Sequence, residues 1–360
     1  MKCTEKSRKD RMKQMRVIID VMSGDNAPAE LLRGASMAAD AYSASIVVVG
    51  DREIIEETAR KENISLEKIS VVHAPDVINM EDSALSVVRD KKDSSMSVGL
   101  KMLSQGEGDA FVSAGNTGAL LAGATLLVRR IKGIQRAAIA TVLPFASPLL
   151  LMDCGANLEI TPENGEQFAM MGSIYMEKIY GIKNPRVGQV NNGTEHNKGL
   201  PLQVKTYELL SESKNINFVG NVEAKEIPFS KCDVLVADGF TGNIVLKMIE
   251  GMGKYVFSEL KTVFYSNIMT KISAALMKKK LHQMKSKFDP SEHGGAPLLG
   301  ISKPVIKAHG SSDARAIKNA VHQAITFVNT GINQDIAKWA VEKKSEKASA
   351  EAVSDTAPQE

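Results

Sequence analysis

The sequence predicts an open α/β fold in two lobes, and three observations predict it. Short β-branched runs alternate with amphipathic helical stretches along most of the chain. Loops rich in Gly, Ser, Asn and Asp follow those runs, at the strand ends where open sheets bind ligands. The length, 360 residues, is more than one hydrophobic core ordinarily serves. A closed eightfold barrel is the competing architecture, but the paired short strands at 138–153 disturb its regular beat.

The elements follow in order. Val17 to Ile19 form a β-branched run that reads as a buried parallel strand ending at Asp20. The loop "DVMSGDNAP" leads to a helix from about Pro28. "SIVVVGD", 45–51, and "KISVVHAP", 68–75, are the next strands, and "SMSVGLKMLSQGEG", 95–108, suits a helix. "DAFVSAGNTGALLAGATLLVRRIKG" gives strand, small-residue loop and long helix. "AAIATVLP" and "SPLLLMDCGAN" are the paired strands, and Pro162 opens the helix "PENGEQFAMMGSIYMEKIYG". "PRVGQVNNGTE", the helix "LPLQVKTYELLSES", "INFVGNVEA" and "CDVLVADGFTG" continue the alternation. The last cycle is "PVIKAHG" and "SSDARAIKNAVHQAITFVNTG".

Residues 244–287 stand apart as a long helical region. Val256, Leu260, Val263, Phe264, Ile268, Ile272 and Leu276 recur at three- and four-residue spacing, and 271–287 carries six lysines and no acid. Three readings stay open: helices packing on a dimer or domain surface, an amphipathic pair on an anionic membrane, or a dock for an acidic protein.

Composition excludes several classes. Hydrophobic residues make up 43% and charged residues 24%, as in a soluble globular protein. The net charge of +3 gives no ground for a nucleic-acid partner. No run of about 18 uncharged apolar residues occurs, and the basic N-terminus lacks the apolar core of a secretory signal. Cys3, Cys154 and Cys232 are too scattered for a disulfide framework, which makes a reducing cytosol the expected location. The six histidines show no zinc-ligand spacing, so neither metal nor cofactor is expected. There is no P-loop, no dinucleotide fingerprint and no Gly-x-Ser-x-Gly elbow. Cys154 lies in a Gly-rich loop, where it is either a nucleophile or a buried thiol; burial is the commoner fate of a cysteine after a buried strand.

The chemistry is concentrated in the loops. "KAHGSSDARAIKNA", 307–320, is a small-residue loop opening into a helix. A helix N-terminus presents unpaired N–H groups and partial positive charge, and small residues let an anion approach them. Ser311 or Ser312 is placed to cap, while Lys307 and His309 sit near the strand end. Capping explains one serine but not the lysine and histidine beside it. The pattern repeats in "SAGNTGA" (Ser113, Asn116, Thr117, Gly118) and "DCGAN" (Asp153, Asn157). It also repeats in "NNGTEHNKG" (Asn191, Thr194, Glu195, Lys198, Gly199) and "DGFTGN" (Asp238, Thr241, Asn243). Each is an ordinary turn composition. Five at strand ends predict a shared crevice for a phosphate-bearing ligand.

"DVMSGDNAP", "SAGNTGALLAG", "RIKGIQRAAIATVLP", "DCGAN", "GIKNPRVG", "INFVGNVEA", "DGFTGNIVLK" and "GGAPLLG…VIKAHGSSDARAIKNA" together resemble the bacterial phosphate acyltransferases, from about residue 15 to 329. Three departures from the family pattern occur: Ser23 where a glycine is usual, Cys154 where Val is usual, and the polar Asn192. The resemblance implies an isocitrate/isopropylmalate dehydrogenase-like, phosphotransacetylase-like fold, an open three-layer sheet whose C-terminal segment returns to the first lobe. The lobes are then 15–137 with 300–332, and 138–299 with protruding amphipathic helices at 251–287. A flexible basic N-terminus (1–14) and a disordered polar tail (340–360) flank them.

It also implies transfer of a long-chain acyl group from acyl carrier protein to inorganic phosphate, giving acyl-phosphate for glycerol 3-phosphate acylation. A cytoplasmic homodimer is implied, with peripheral contact to an anionic membrane and the downstream glycerol 3-phosphate acyltransferase. The anion cradle is then expected at 116–118 and 311–313, with Gly24, Asp25, Asn157 and Thr194 contributing and Lys307, His309, Asn243 and Asp238 serving catalysis. Asp25, Asp153 and Asp238 are expected to orient loops, since a carboxylate repels phosphate. Arg129, Arg130 and Lys132 form the first candidate surface for the acidic carrier, and Lys178, Lys183 and Arg186 the second. The alternatives are a phosphotransacetylase-like enzyme using acyl-CoA, or a dehydrogenase of the related fold.

Overall fold

A computed structural model describes residues 14–145, 147–287 and 294–354. Expectations for the extreme N-terminus, His293 and the last residues of the tail lie outside the described residues. The chain forms two compact units, Met1–Val128 with Lys303–Asn329, and Arg129–Ser302 with Thr330–Glu360.

In the first unit, β1 (Arg16–Asp20) is central, with β2 (Ser45–Gly50) and β3 (Ile69–His73) on one side and β4 (Ala110–Ser113) and β11 (Val305–Lys307) on the other. All pairs are parallel, so the loops that follow these strands gather at one edge. Val17, Ile18 and Ile19 have no exposed surface, as a strand covered on both faces requires. Helices α1 (Ala29–Ala41), α2 (Arg52–Lys61), α3 (Ser95–Gln105) and α4 (Thr117–Gly123, extended by a π-helix Ala124–Val128) link the strands. Asp51 and Ser94 cap α2 and α3 through their side chains, and Gly106 ends α3 in the left-handed region at φ 82°. Helix α9 (Ala314–Thr330) lies so close to α1 that a Cβ on Gly34 would stand 2.6 Å from the Ala314 carbonyl.

The second unit has a mixed sheet. β5 (Ala138–Leu143) runs antiparallel to β6 (Leu149–Met152) and to β10 (Ala296–Leu299). β6, β9 (Val234–Val236), β7 (Arg186–Asn191) and β8 (Asn217–Glu223) then follow as a parallel set. Helix α5 (Pro162–Tyr180) starts at a Thr161/Asn164 capping box and packs on the sheet through Gly172 against Val234. α6 (Pro201–Glu212) joins β7 to β8. α7 (Gly239–Phe264) and α8 (Ile268–Lys287) form the long helical region, and only Gly239, Gly242 and Gly253 of α7 are buried. Val263, Ile268, Ile272 and Leu276 are all more than half exposed. The described residues leave these four side chains uncovered, while Leu260 and Phe264 are half-buried, and the three sequence readings stay open.

Two segments differ from the sequence expectation. The unit boundary falls at 128/129 rather than at 137/138. Arg129–Ile134 has no strand pattern of its own, yet its backbone pairs with residues 300–302: Ile131 N–H donates to the Gly300 carbonyl and Ser302 N–H to the Arg129 carbonyl, both at 2.9 Å. The polar tail expected to be disordered from 340 is helix α10 (Ile332–Ser354). Its first turns are anchored: Ile332 and Ile336 are fully buried, Asp335 meets Lys178 at 2.6 Å, and Lys343 meets the buried Glu166 at 2.6 Å. Composition alone does not show such anchors.

Candidate active site

The first unit brings 23–26, 113–118 and 307–312 together. Asp20 ends β1 fully buried, accepting from the Ser113 hydroxyl at 2.8 Å and from Met22 N–H at 3.2 Å. Ser113 Oγ accepts from Gly115 N–H at 3.1 Å, so one carboxylate sets the shape of the 113–116 loop. Gly24, at φ 120°, would place a Cβ 3.0 Å from Ala114 Cβ and 3.1 Å from the Gly310 carbonyl, which only glycine avoids. Asp25 N–H donates to the Gly310 carbonyl at 2.8 Å, and the Asn26 amide donates to the Ser311 and Ser312 carbonyls. Thus the loops after β1, β4 and β11 interlock.

Lys307 points its ammonium back into this cluster, donating to the Ala114 carbonyl at 3.2 Å and the Ala308 carbonyl at 2.5 Å. His309 is exposed, and its Nδ1 accepts from Ser311 N–H at 3.3 Å and lies 2.9 Å from the Ser311 hydroxyl. A neutral ring with Nδ1 accepting carries its proton on Nε2.

Two expectations for this cluster change. Ser311 and Ser312 do not cap α9: Asp313 Oδ1 accepts from Ala316 N–H at 2.8 Å, and Glu30 Oε2 accepts from Ala314 N–H at 2.9 Å. Two carboxylates thus occupy the helix end where 311–313 was expected to cradle an anion. Ser312 is buried. Asn116 is the N-cap of α4, accepting from Ala119 N–H at 3.0 Å, while its amide nitrogen donates to the Met80 and Asp82 carbonyls at 2.9 and 3.2 Å. Its side chain is a strut to the 79–82 loop. The first intrahelical bond of α4 runs from Leu120 N–H to the Asn116 carbonyl, so the N–H groups of Thr117 and Gly118 lie ahead of it as donors.

The second unit gathers 153–157 and 238–243. Asp153 is fully buried and accepts from the N–H groups of Ile139, Gly155, Ala156 and Asn157, at 2.7–3.2 Å, and from the Asn157 amide at 2.8 Å. Burial pushes its carboxyl above the usual carboxylate range, while the bonds from Ala156, Asn157 and Ile139 pull it down. Asn157 spends its amide nitrogen on Asp153 and on the Ala137 carbonyl. Asp238 caps α7, accepting from Thr241 N–H and the Thr241 hydroxyl, both at 2.8 Å. Asp153, Asn157 and Asp238 therefore shape their loops. Asn243 is exposed beside Gly155, whose Cβ would lie 3.6 Å from the Asn243 side chain. Thr194 is exposed on the loop after β7, which is tied to β8 by the Asn221 amide donating to the Glu195 carbonyl at 2.8 Å.

Cys154 is buried, its thiol lies 3.2 Å from the Leu151 carbonyl, and burial pushes it up to about 12. It is a neutral thiol in the folded protein, so the buried reading holds. Iodoacetamide at neutral pH is expected to leave Cys154 unlabelled until the protein is unfolded, as mass spectrometry of digests would show. Cys154→Val is expected to shift stability by less than about 1.5 kcal/mol, readable as Tm.

Arg129, Arg130 and Lys132 are all exposed, and none forms an ion pair among the described residues. The second basic group does not survive: Lys178 pairs with Asp335 at 2.6 Å, and Arg186 forks onto Asp233 at 2.9 and 3.1 Å. Asp20, Glu30 and Asn26, which sequence reasoning left out, organise the first cluster. An acid ending a fully apolar strand, as Asp20 does, is the one signal that pointed to them.

Comparison with known proteins adds the family. The family described as fatty acid synthesis protein matches residues 15–335. The chain is 48% identical over 325 residues to the phosphate acyltransferase of Alkaliphilus oremlandii, covering 90% of this chain and 97% of that protein. It is 44% identical over 337 residues to that of Clostridioides difficile, covering 92% and 99%. Its fold is similar to a phosphotransacetylase from Streptococcus pyogenes, at TM-score 0.55 and 14% identity over 92% of this chain and 95% of that one. A 4-hydroxythreonine-4-phosphate dehydrogenase from Klebsiella pneumoniae gives 0.53 and 11%, over 88% and 100%. These last two likenesses speak for the fold alone. The near-full-length identity to named relatives speaks for more, and the chain belongs to the phosphate acyltransferase family, a family of transferases.

Proposed function

We propose that this protein transfers a long-chain acyl group from acyl carrier protein to inorganic phosphate, and that the acyl-phosphate serves acylation of glycerol 3-phosphate. The observation that carries the reading is the 44–48% identity to phosphate acyltransferases along about nine-tenths of the chain. The first unit's loop cluster supports it with donors of the right kind. Lys307 supplies charge, His309 an Nε2–H, and Thr117 and Gly118 backbone N–H groups. Family membership sets the dehydrogenase alternative aside.

In the reaction, a phosphate oxygen attacks the thioester carbonyl carbon. The new C–O bond forms as the C–S bond breaks, and the sulfur leaves as a thiolate that takes a proton from water. Such a thiol has a reference pKa of about 8.5, so the leaving group needs little acid assistance. Phosphate is its own nucleophile, and what remains is placement and stabilisation of charge on the carbonyl oxygen. Lys307 and His309 as donors serve that step, and the interlocked loops hold them. Asp238 and Asn157, tied within their own loops, act by positioning.

Carrier binding falls to Arg129, Arg130 and Lys132. The double variant Arg129→Glu/Arg130→Glu is expected to raise KM for the acyl carrier about tenfold at low salt, less at about 0.15 M, with KM for phosphate unchanged. The exposed apolar face of α7 is read as the homodimer contact. The lysines of α8 (Lys271, Lys278, Lys279 and Lys280, all exposed) are read as facing an anionic membrane and the downstream acyltransferase. No described helix is long and apolar enough to cross a membrane.

The test uses purified protein, palmitoyl carrier protein and phosphate, with free carrier thiol and acyl-phosphate followed together. Phosphate-dependent appearance of both, in equal amounts, is expected. Turnover of acetyl-CoA in place of the carrier substrate would favour the phosphotransacetylase-like alternative. A folded sample giving no acyl-phosphate at several chain lengths would sink the assignment.

A further inference from the structure

Gln189 and Thr206 are 3% and 4% exposed, and each keeps one polar atom without a hydrogen-bond partner among the described residues: Gln189 Oε1 and Thr206 Oγ1. The orientation of Gln189 is fixed by its nitrogen, which donates to the Gln203 carbonyl at 2.9 Å and to Asn221 Oδ1 at 3.0 Å. Turning the amide over would set its oxygen against two other oxygens. The network is built by a local irregularity: the register between β7 and β8 shifts between Val187 and Gln189, beside Gly220 at φ 96°, and this brings Asn221 opposite Gln189. Asn221 passes the connection on to the Glu195 carbonyl. A native interior rarely leaves two such atoms unpaired around one crevice.

Both residues line a crevice with Ile160, Val190, Leu202 and Ala237, off the carboxyl ends of β7 and β9. After β7 the chain leaves for β8, and after β9 it leaves towards β10, on opposite sides in the strand order. That makes the gap between β7 and β9 a topological switch point, where open sheets place ligands. The enclosed space is ≈ 20 Å³, room for about one water-sized group, with the rest of the crevice open to solvent.

The surroundings decide what enters. Gln189 Oε1 demands an N–H or O–H donor. An anion is disfavoured, because Gln189 Oε1 and the Asp238 carboxylate, both lining the crevice, present only acceptors. Both Asp238 oxygens are already engaged by the Thr241 N–H and hydroxyl, and apolar Ile160, Val190 and Leu202 then favour a neutral group over a cation. A secondary amide on an otherwise apolar chain meets these demands. On the function proposed above, the thioester reaches the protein on an arm strung with secondary amides.

We propose that this crevice seats one amide of the thioester-bearing arm, its N–H donating to Gln189 Oε1 with Thr206 Oγ1 alongside. The inference rests on the acyl-carrier reading and adds where the arm is held. The first variant is Thr206→Val, because the lost hydroxyl has no protein partner and its removal leaves Tm unchanged or higher. KM for the acyl carrier is expected to rise about threefold to tenfold while KM for phosphate stays put, and Thr206→Ser restores the wild-type value. Gln189→Met, which removes the acceptor, gives a rise at least as large.

Free pantetheine, followed by saturation-transfer NMR with the full-length protein, supplies a readout independent of turnover. Its amide-flanking protons are expected to show contact in the wild type and to lose it in Thr206→Val and Gln189→Met. Unchanged KM in Thr206→Val, or pantetheine contact indifferent to both variants, would overturn the proposal and leave a single trapped water as the occupant. Absence of acyl-phosphate with every thioester would remove the catalytic reading instead, and the pantetheine measurement would still report on the crevice.

Discussion

Lys307→Met is expected to lower kcat/KM for phosphate about 10²- to 10³-fold, the loss found when one donor is removed from a developing oxyanion. The argument starts from position. Lys307 ends β11 in parallel register with Ser113 of β4, so its ammonium stands at the edge where the loops after β1, β4 and β11 meet. Glu30 and Asp313 already occupy the N-terminal end of α9, so the positive charge for an anion at this cluster falls to the Lys307 ammonium, held by the Ala114 and Ala308 carbonyls. The stem of Met fills the same space, so packing is kept. What is lost besides charge is the pair of bonds to the Ala114 and Ala308 carbonyls, about 1 kcal/mol each, seen as a modest fall in Tm. Initial rates of acyl-phosphate formation against phosphate concentration check the main effect. A Met variant with wild-type kcat/KM would move the anion away from the first unit's cluster.

His309→Ala should cost less than Lys307→Met, by about half on a logarithmic scale, since His309 is exposed to water, which weakens its interactions, while Lys307 is part-buried. The same assay checks it. An equal or larger loss would mark His309, rather than Lys307, as the main donor.

The alternation of strands and helices was legible because its signals are local. Val17 to Ile19, Ile46 to Val49 and Leu149 to Met152 are buried on both faces, and continuous apolar runs say so in any sequence. The loops were legible as loops for the same reason. What they do was not. Asp153 is held by donors from 139 and from 155–157, and no spacing rule links Ile139 to it. Asn116 looked like a ligand because its neighbours are small, yet its amide is spent on carbonyls of the 79–82 loop. Lys178 and Arg186 looked like a basic surface until folding set Asp335 and Asp233 beside them. In each case a polar side chain was read by its sequence neighbours and positioned by a distant one. The apolar stripe of 256–276 shows the converse: its period was visible, but the described residues of this chain leave much of it uncovered, and the period does not encode what, if anything, covers it.

Gly242→Ala is expected to be the most damaging single methyl added to the second unit. Gly242 lies one turn into α7, and a Cβ there would stand 1.9 Å from the Asp153 carbonyl oxygen, far inside contact distance. The neighbour is backbone and cannot rotate away. It also belongs to the loop that Asp153 ties together, with its N–H bonded to the Ala237 carbonyl at 3.0 Å. Gly239, three residues earlier on the same face, meets Asn157 in the same way at 2.6 Å, so α7 is fastened to 153–157 at two points with no slack between them. Relief requires the start of α7 to lift off the loop, which breaks the Gly239 N–H bond to the Asn157 carbonyl and carries Asp238 and Asn243 with it. Overpacking of this kind costs about 3 kcal/mol, and here the displaced groups are among those proposed for the reaction. The expected result is a lower Tm together with a loss of kcat that survives at temperatures where the variant is fully folded. Gly251→Ala, on the same helix with open space around the added methyl, is the matched control and should raise helix stability slightly. Equal behaviour of the two variants would mean that α7 is not fastened where the close approach at Gly242 puts it.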